Sequence, residues 1–203
     1  MQPNRHLGVV ILGAGASSRM GRPKLLLPWG GTTVIGRLIA QWRELGAGQI
    51  TVVLRPDDDA LAAELDRLGF PKAHHIHNPQ PELGMFSSIL CAANWTGWQG
   101  EITNWAIVLG DQPHLHTETL RTLLAFAGQN RHAICQPTSG GRTAHPVILP
   151  ATAFAGLKNS PATTLKDFLN LTAGPSVQCP INDPGLTLDL DTPEDYKRLQ
   201  AQI

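Results

Sequence analysis

The sequence predicts a single three-layer α/β domain, residues 1–203, built on a mainly parallel sheet. Three observations predict it. Short apolar runs recur without polar alternation, as strands buried on both faces do. The segments between them carry apolar residues at helical spacing and stop at glycines. The chain has 203 residues, 42% of them hydrophobic, which suits one domain able to bury a large core. Strands alternating with helices then imply right-handed crossovers between parallel neighbours.

Taken in order, Gly8-Val9-Val10-Ile11-Leu12 is the first strand. Thr32 to Leu45 places Val34, Leu38, Ile39, Trp42 and Leu45 on one helical stripe, which Gly46 ends. Ile50 to Leu54 is the second strand. Asp57 to Leu68 repeats the helical pattern through Leu61, Leu65 and Leu68, and Gly69 stops it. His74-His75-Ile76-His77 reads as an edge strand. Met85 to Trp95 and Thr117 to Phe126 are helices on either side of a third central run, Trp105 to Leu109. Pro146 to Leu149 is a further buried strand, Pro180 to Gly185 is a loop, and Thr192-Pro193-Glu194-Asp195 starts a helix with a capping pair.

Charge narrows the function. Sixteen Lys+Arg balance sixteen Asp+Glu, so no broad nucleic-acid footprint is expected. No apolar run reaches the ~18–20 residues of a membrane span, and Val9 to Leu12 is too short for a signal-peptide core. Cys91, Cys135 and Cys179 are scattered and fit reduced thiols. A soluble, cytoplasmic protein is expected. The histidines at 74, 75, 77, 114 and 116 lack the spacing of common zinc sites, and Trp95, Trp98 and Trp105 suit packing better than base stacking.

In an open parallel sheet, ligands collect beyond the carboxyl ends of the strands. After Leu12 comes Gly13-Ala14-Gly15-Ala16-Ser17-Ser18-Arg19-Met20-Gly21-Arg22-Pro23-Lys24. Small residues let backbone N–H groups approach an anion, and Arg19 and Lys24 add positive charge. This describes a polyphosphate cradle. A dinucleotide fingerprint fails, because Ser18 stands where glycine is needed and the second strand ends in Arg55-Pro56 without a ribose-binding acid. A P-loop fails because Lys24 leads into Leu25-Leu26-Leu27-Pro28. At the end of the third central strand, Gly110-Asp111-Gln112-Pro113 offers a carboxylate at the same edge. Magnesium is commonly held by one or two carboxylates plus substrate phosphates, so Asp111 is the first candidate ligand.

The string Leu12-Gly13-Ala14-Gly15, Ser18-Arg19-Met20-Gly21 and Lys24-Leu25-Leu26-Leu27-Pro28 resembles the signature of the MobA-like nucleotidyltransferases. It is most similar to the MocA-type molybdenum cofactor cytidylyltransferases. Asn78 with Gly84-Met85-Phe86-Ser87-Ser88, the Asp111-Gln112-Pro113 segment, Gly141-Arg142-Thr143-Ala144-His145-Pro146 and Asp189-Leu190-Asp191-Thr192-Pro193 extend the resemblance over most of the chain. It implies a Rossmann-like fold of the nucleotide-diphospho-sugar transferase type and Mg²⁺-dependent nucleotidyl transfer from an NTP to an acceptor phosphate. The implied nucleotide-binding residues are Leu12, Gly13, Ala14, Gly15, Arg19, Lys24, Asn78, Gly84, Met85, Ser87 and Ser88. Arg19, Lys24 and Asp111 would be catalytic. The metal would sit on Asp111 with Asp191 or, second, Asp189, while Arg142 and His145 would meet the acceptor. Ala14 before Gly15 matches the cytidylyltransferase type, favouring CTP over GTP and a molybdopterin-type acceptor, with a molybdoenzyme or its chaperone as a partner.

Two positions depart from the pattern. Gly13 replaces the usual alanine and is expected to be sterically tolerated. Ala144 replaces a glycine, which puts acceptor recognition in question. Other readings stay open: a GTP-using relative, a transferase with another acceptor, and a carrier of nucleotide or molybdopterin without turnover. An NAD-dependent dehydrogenase is disfavoured by Ser18 and the missing acid.

Overall fold

In the computed structural model, which describes residues 4–15, 20–172 and 174–201, strand β1 (Asn4–Leu12) runs through the middle of the sheet. A short hairpin, β2 (Pro28–Trp29) and β3 (Thr32–Thr33), leads into α1 (Val34–Glu44). Then follow β4 (Ala47–Leu54), α2 (Asp59–Arg67), β5 (His75–His77), α3 (Met85–Asn94) and β6 (Asn104–Leu109). The later part comprises α4 (Thr117–Gln129), β7 (Ile134–Ser139), β8 (Arg142–Thr143), β9 (Val147–Pro150) and α5 (Ala151–Gly156). It ends with α6 (Leu165–Leu171), β10 (Ser176–Pro180) and α7 (Pro193–Gln200).

The strand order is β10-β7-β9-β6-β1-β4-β5, with β8 hooked onto β7. β1 pairs in parallel with both β4 and β6, and β4 with β5, so four strands present their carboxyl ends along one edge. β9 runs antiparallel to β6 and β7. The central strands are uniformly apolar because alternate residues feed two separate cores. Val9, Ile11, Val52 and Val108 pack with α1, α2, α4 and α7 on one face. Val10, Val53 and Ile107 pack with α3, α5 and α6 on the other. This is the three-layer arrangement expected of apolar runs without alternation.

Several expected boundaries shift. Thr32 belongs to a hairpin, and Thr33 caps α1 by accepting from the Gly36 N–H. Asp58 caps α2 in the same way through Leu61, so that helix starts later than expected. β7 and β10 form without a continuous apolar run: Gln136 and Pro137 interrupt the first, and the second is a half-exposed edge strand. Within the expected Pro180 to Gly185 loop, Pro180 ends β10 and Pro184–Thr187 closes a 3-10 turn. The three tryptophans pack edge to face and end in a stack of Trp105 on Phe154 at 4.2 Å. No helix among the described residues is long and apolar enough to cross a membrane.

Candidate active site

Two glycines at adjacent strand ends shape the site. The Gly13 N–H donates to the Val53 carbonyl at 2.8 Å, continuing the β1–β4 ladder past the strand. A Cβ on Gly13 would stand 2.9 Å from that same carbonyl oxygen. Gly13 is therefore needed by this backbone, and the expectation of simple tolerance understates its role. Gly110, just after β6, is tighter still, since a Cβ there would lie 2.6 Å from the Leu12 carbonyl oxygen. The Leu25 side chain reaches both glycines. That buried leucine sits in a 3-10 turn, Lys24–Leu26, and so anchors its neighbour Lys24 over the ends of β1 and β6.

The result is a cleft of about 380 Å³, within the range of small-molecule sites. Leu12, Gly13, Ala14, Gly15, Lys24, Gly84, Met85, Ser88 and Asp111 line it. The fold thus gathers nine of the residues singled out from sequence, from segments about 100 positions apart. Pro81, Leu25, Leu109 and Gly110 also line it and were not singled out. Gly110 had a visible signal, a glycine between an apolar run and an aspartate.

Other predicted residues lie differently. Asn78 is buried and donates to the Ser87 and Ser88 hydroxyls at 2.8 and 3.0 Å, while its side-chain oxygen accepts from the Gln80 N–H. Its role in this geometry is to tie the turn after β5 to the first turn of α3. Ser87 donates to the Gly84 and Gln80 carbonyls and turns away from the cleft. Ser88 accepts from Asn78 and faces the cleft, where its hydroxyl can donate. Arg142 is exposed on the β7–β8 hairpin and does not line the cleft. His145 also stands outside it; its Nδ1–H donates to the Ile107 carbonyl at 3.2 Å, and burial holds its pKa below the ordinary value. Ala144 is accommodated, because Gly140 and Gly141 carry the left-handed turn of the hairpin while the Ala144 N–H bonds to the Pro137 carbonyl. Arg19 lies outside the described residues.

The carboxyl-terminal string closes the site from the far side of Asp111. The Leu190 N–H donates to the Asp111 carbonyl at 3.1 Å, and the Gln112 amide donates to Asp189 at 3.1 Å. Asp191 meets Lys24 at 2.5 Å, and Lys24 lies 3.7 Å from Asp111. The expected capping box forms at Thr192 and Asp195, and Tyr196 in α7 donates to the Pro28 carbonyl at 2.6 Å. So the string that resembled a metal motif is at once a helix start and an acidic wall.

Electrostatically, three carboxylates, those of Asp111, Asp189 and Asp191, crowd this corner with Lys24. Burial pushes the Asp111 carboxyl up from 3.8 to about 6; the Asp189 charge adds to that, Lys24 opposes it, and Asp191 adds a little more. One oxygen, Oδ1, is buried with no hydrogen-bond partner among the described residues. Such an oxygen fits a hard divalent cation. Among the described residues no group of three or more His, Cys, Asp or Glu forms a ready-made cage. Magnesium needs none, since it completes its shell with phosphate and water oxygens.

Comparison with known proteins places this geometry in context. Residues 9–175 match the MobA-like NTP transferase domain. The chain is 25% identical to the molybdenum cofactor cytidylyltransferase of Escherichia coli (strain K12) over 188 residues, 92% of each protein. It is 32% identical over 146 residues to the bifunctional protein GlmU of Clavibacter sepedonicus, a match covering 67% of this chain and 29% of that one. This chain therefore spans less than a third of that relative's length. Among solved structures, Rv0371c from Mycobacterium tuberculosis H37Rv superposes with a TM-score of 0.74 at 24% identity, covering 97% of this chain and 98% of that one. At that identity the likeness concerns the fold.

Proposed function

The chain belongs to the MobA-like NTP transferase domain family, and on that premise we propose that it transfers CMP from CTP to the phosphate of a molybdenum-bearing molybdopterin, releasing pyrophosphate. The observation that carries the reading is the corner described above. A buried carboxylate with an unpartnered oxygen meets an anchored lysine at the mouth of a glycine-lined cleft.

The acceptor phosphate oxygen attacks the α-phosphorus in line. A new P–O bond forms as the bond to the bridging oxygen breaks, and that oxygen leaves with pyrophosphate and the electron pair. A phosphate monoester is already anionic at neutral pH, so no side-chain nucleophile is required. Catalysis then rests on positioning and charge neutralisation. The glycine loop admits the phosphates closely, Lys24 meets their charge, and the Ser88 hydroxyl donates from the α3 side. Arg19 joins them on sequence grounds. Asp111 would hold Mg²⁺, with Asp191 or Asp189 as second ligand; when bound, the ion neutralises charge on the phosphate oxygens. Only the sequence resemblance assigns Arg142 and His145 to the acceptor, since neither lines the cleft.

Ala14 favours CTP. Ala14 lines the cleft, where its methyl leaves less room than glycine for a purine. The match to GlmU, a protein not named for molybdenum cofactor chemistry, supports a second reading, a transferase with another acceptor. The test is calorimetric titration with CTP, GTP, ATP and UTP in Mg²⁺, followed by pyrophosphate release on adding molybdenum-molybdopterin. Tightest binding of CTP with release of pyrophosphate is expected. Preference for GTP would reassign the base. Binding of nucleotide and acceptor without release would leave a carrier.

A further inference from the structure

A cleft of about 550 Å³ opens between the β2–β3 hairpin, α1, the segment 113–117 and α7, and it shares no lining residue with the site above. Its volume suits a small molecule. Arg37 of α1 lines it. That residue is half-buried, yet its guanidinium makes no hydrogen bond or ion pair among the described residues. By contrast, Arg67, Arg121 and Arg198 each hold a carboxylate. A cation drawn partly out of water without an acceptor is unfavourable, and an anion entering the cleft would offset that. No acidic side chain lines the cleft to do so. Glu44, two turns along α1, already pairs with Arg121 at 2.7 Å.

The rest of the lining suits an organic body attached to that anion. Ala40, Pro113, Leu115 and Leu199 supply apolar surface. The Thr117 hydroxyl accepts from the Gln41 amide at 3.4 Å and keeps its own proton to donate. Gly30 and Gly31 leave the hairpin side open, since a Cβ on either would meet nothing within 4 Å. Two of the walls also belong to segments that carry the transferase site. Pro113 stands two residues after Asp111. The hairpin follows the Lys24–Leu26 turn and is held there by the Val34 N–H, which donates to the Leu27 carbonyl at 3.0 Å.

We propose that this cleft is an effector site for a small organic anion, a phosphate or carboxylate on an apolar body, with Arg37 as the partner of the anion, and that its occupancy changes nucleotide affinity in the first cleft. The binding site stands on its own geometry. The effect on nucleotide rests on the transferase reading above.

The test is calorimetry on the full chain with phenyl phosphate, benzoate and inorganic phosphate as separate probes, repeated on Arg37→Gln, Ala40→Glu and Lys24→Met. Thermal melting matched to the parent identifies folded variants. At least one of the two aromatic anions is expected to bind the parent, and inorganic phosphate about 10-fold more weakly because it lacks the apolar contact. Arg37→Gln should weaken the aromatic anion about 10- to 100-fold, the range of a lost charge-assisted hydrogen bond. Ala40→Glu should do the same, because a carboxylate three positions along the helix reaches Arg37 and takes the place of the anion. Lys24→Met should bind it as the parent does, which separates this cleft from the glycine-lined one. Saturating the cleft should shift the dissociation constant for CTP in Mg²⁺ about 5-fold or more, and Arg37→Gln should abolish that shift. Parent-like binding by both Arg37→Gln and Ala40→Glu, loss in Lys24→Met alone, or no binding of either aromatic anion to the parent at about 10 mM would overturn the site. Inorganic phosphate binding as tightly as the aromatic anions would overturn the organic body. Anion binding that leaves CTP affinity unmoved would overturn the effector role. A parent that binds the anion but no nucleotide would overturn the transferase reading and the effector role, and leave the anion site standing.

Discussion

Replacing Asp111 with asparagine should stabilise the metal-free protein while removing its turnover. In the folded chain the carboxyl is pushed up from 3.8 to about 6. Folding therefore favours the protonated form, and ionisation at neutral pH works against stability. The sign is opposite to that of a salt-bridged aspartate. Between pH 3.8 and 6 the folded protein holds more protons than the unfolded one, so stability falls as pH rises through that window. A shift of this size is worth at most about 3 kcal/mol. The side chain is 28% exposed, which reduces the gain to roughly 1–2 kcal/mol once solvent screening is included. Asparagine keeps the shape and carries no charge, so metal-free Asp111→Asn should melt roughly 2–8 °C higher at pH 7. The gain should disappear below pH 3.8, where the parent carboxyl is protonated in both states. Mg²⁺ should raise the melting temperature of the parent by mass action and leave the variant unmoved. Differential scanning fluorimetry across pH, with and without chelator, measures all of this. A variant that melts at or below the parent at pH 7 would refute the reasoning, as would a gain that persists unchanged in acid.

Gly110→Ala should cost about 1–3 kcal/mol, because its Cβ would meet a backbone oxygen at 2.6 Å and the ends of β1 and β6 must part; urea unfolding midpoints check it. Asn78→Ala should cost a similar amount, roughly 1–3 kcal/mol, by leaving the Gln80 N–H and the two serine hydroxyls without their partner. The same variant should bind nucleotide more weakly only through the displaced Ser88, which titration after matching stability can separate. Lys24→Met should lower pyrophosphate release by roughly 10²–10³-fold, the scale of one lost charge-stabilising donor. It should also depress the metal-free melting temperature, because Asp111 and Asp191 lose the cation between them; a parent-like rate in a coupled phosphate assay would contradict the role.

Much of the fold was legible because central strands leave a strong trace. Val9 to Ile11 and Val52 to Leu54 are apolar at consecutive positions since each face of the sheet has its own core. β7 and β10 left no such trace. Cys135 and Cys179 are buried, yet polar residues and prolines flank them, and β10, at the edge of the sheet, needs only one apolar face. The reversed direction of β9 is likewise absent from its local sequence, because an apolar run reads alike in either direction.

The site shows the same division. That the glycine loop, Lys24 and Asp111 meet could be read from the chain, because the loop and Asp111 each follow an apolar run and the carboxyl ends of such strands share one edge. Which polar side chains face the ligand could not be read that way. Asn78 and Ser87 are spent on each other and on the backbone, whereas Ser88, one residue on, turns into the cleft.

By itself, then, the sequence determined the layering of the domain and singled out the glycine loop, Lys24 and Asp111, which the fold gathers at one cleft. Each of these follows from local spacing and residue chemistry. Tertiary structure alone decided that Gly13 and Gly110 must lack side chains and that Lys24 bridges Asp111 and Asp191. Those facts depend on distances between segments as many as 167 positions apart, which only the folded packing brings within a few ångströms.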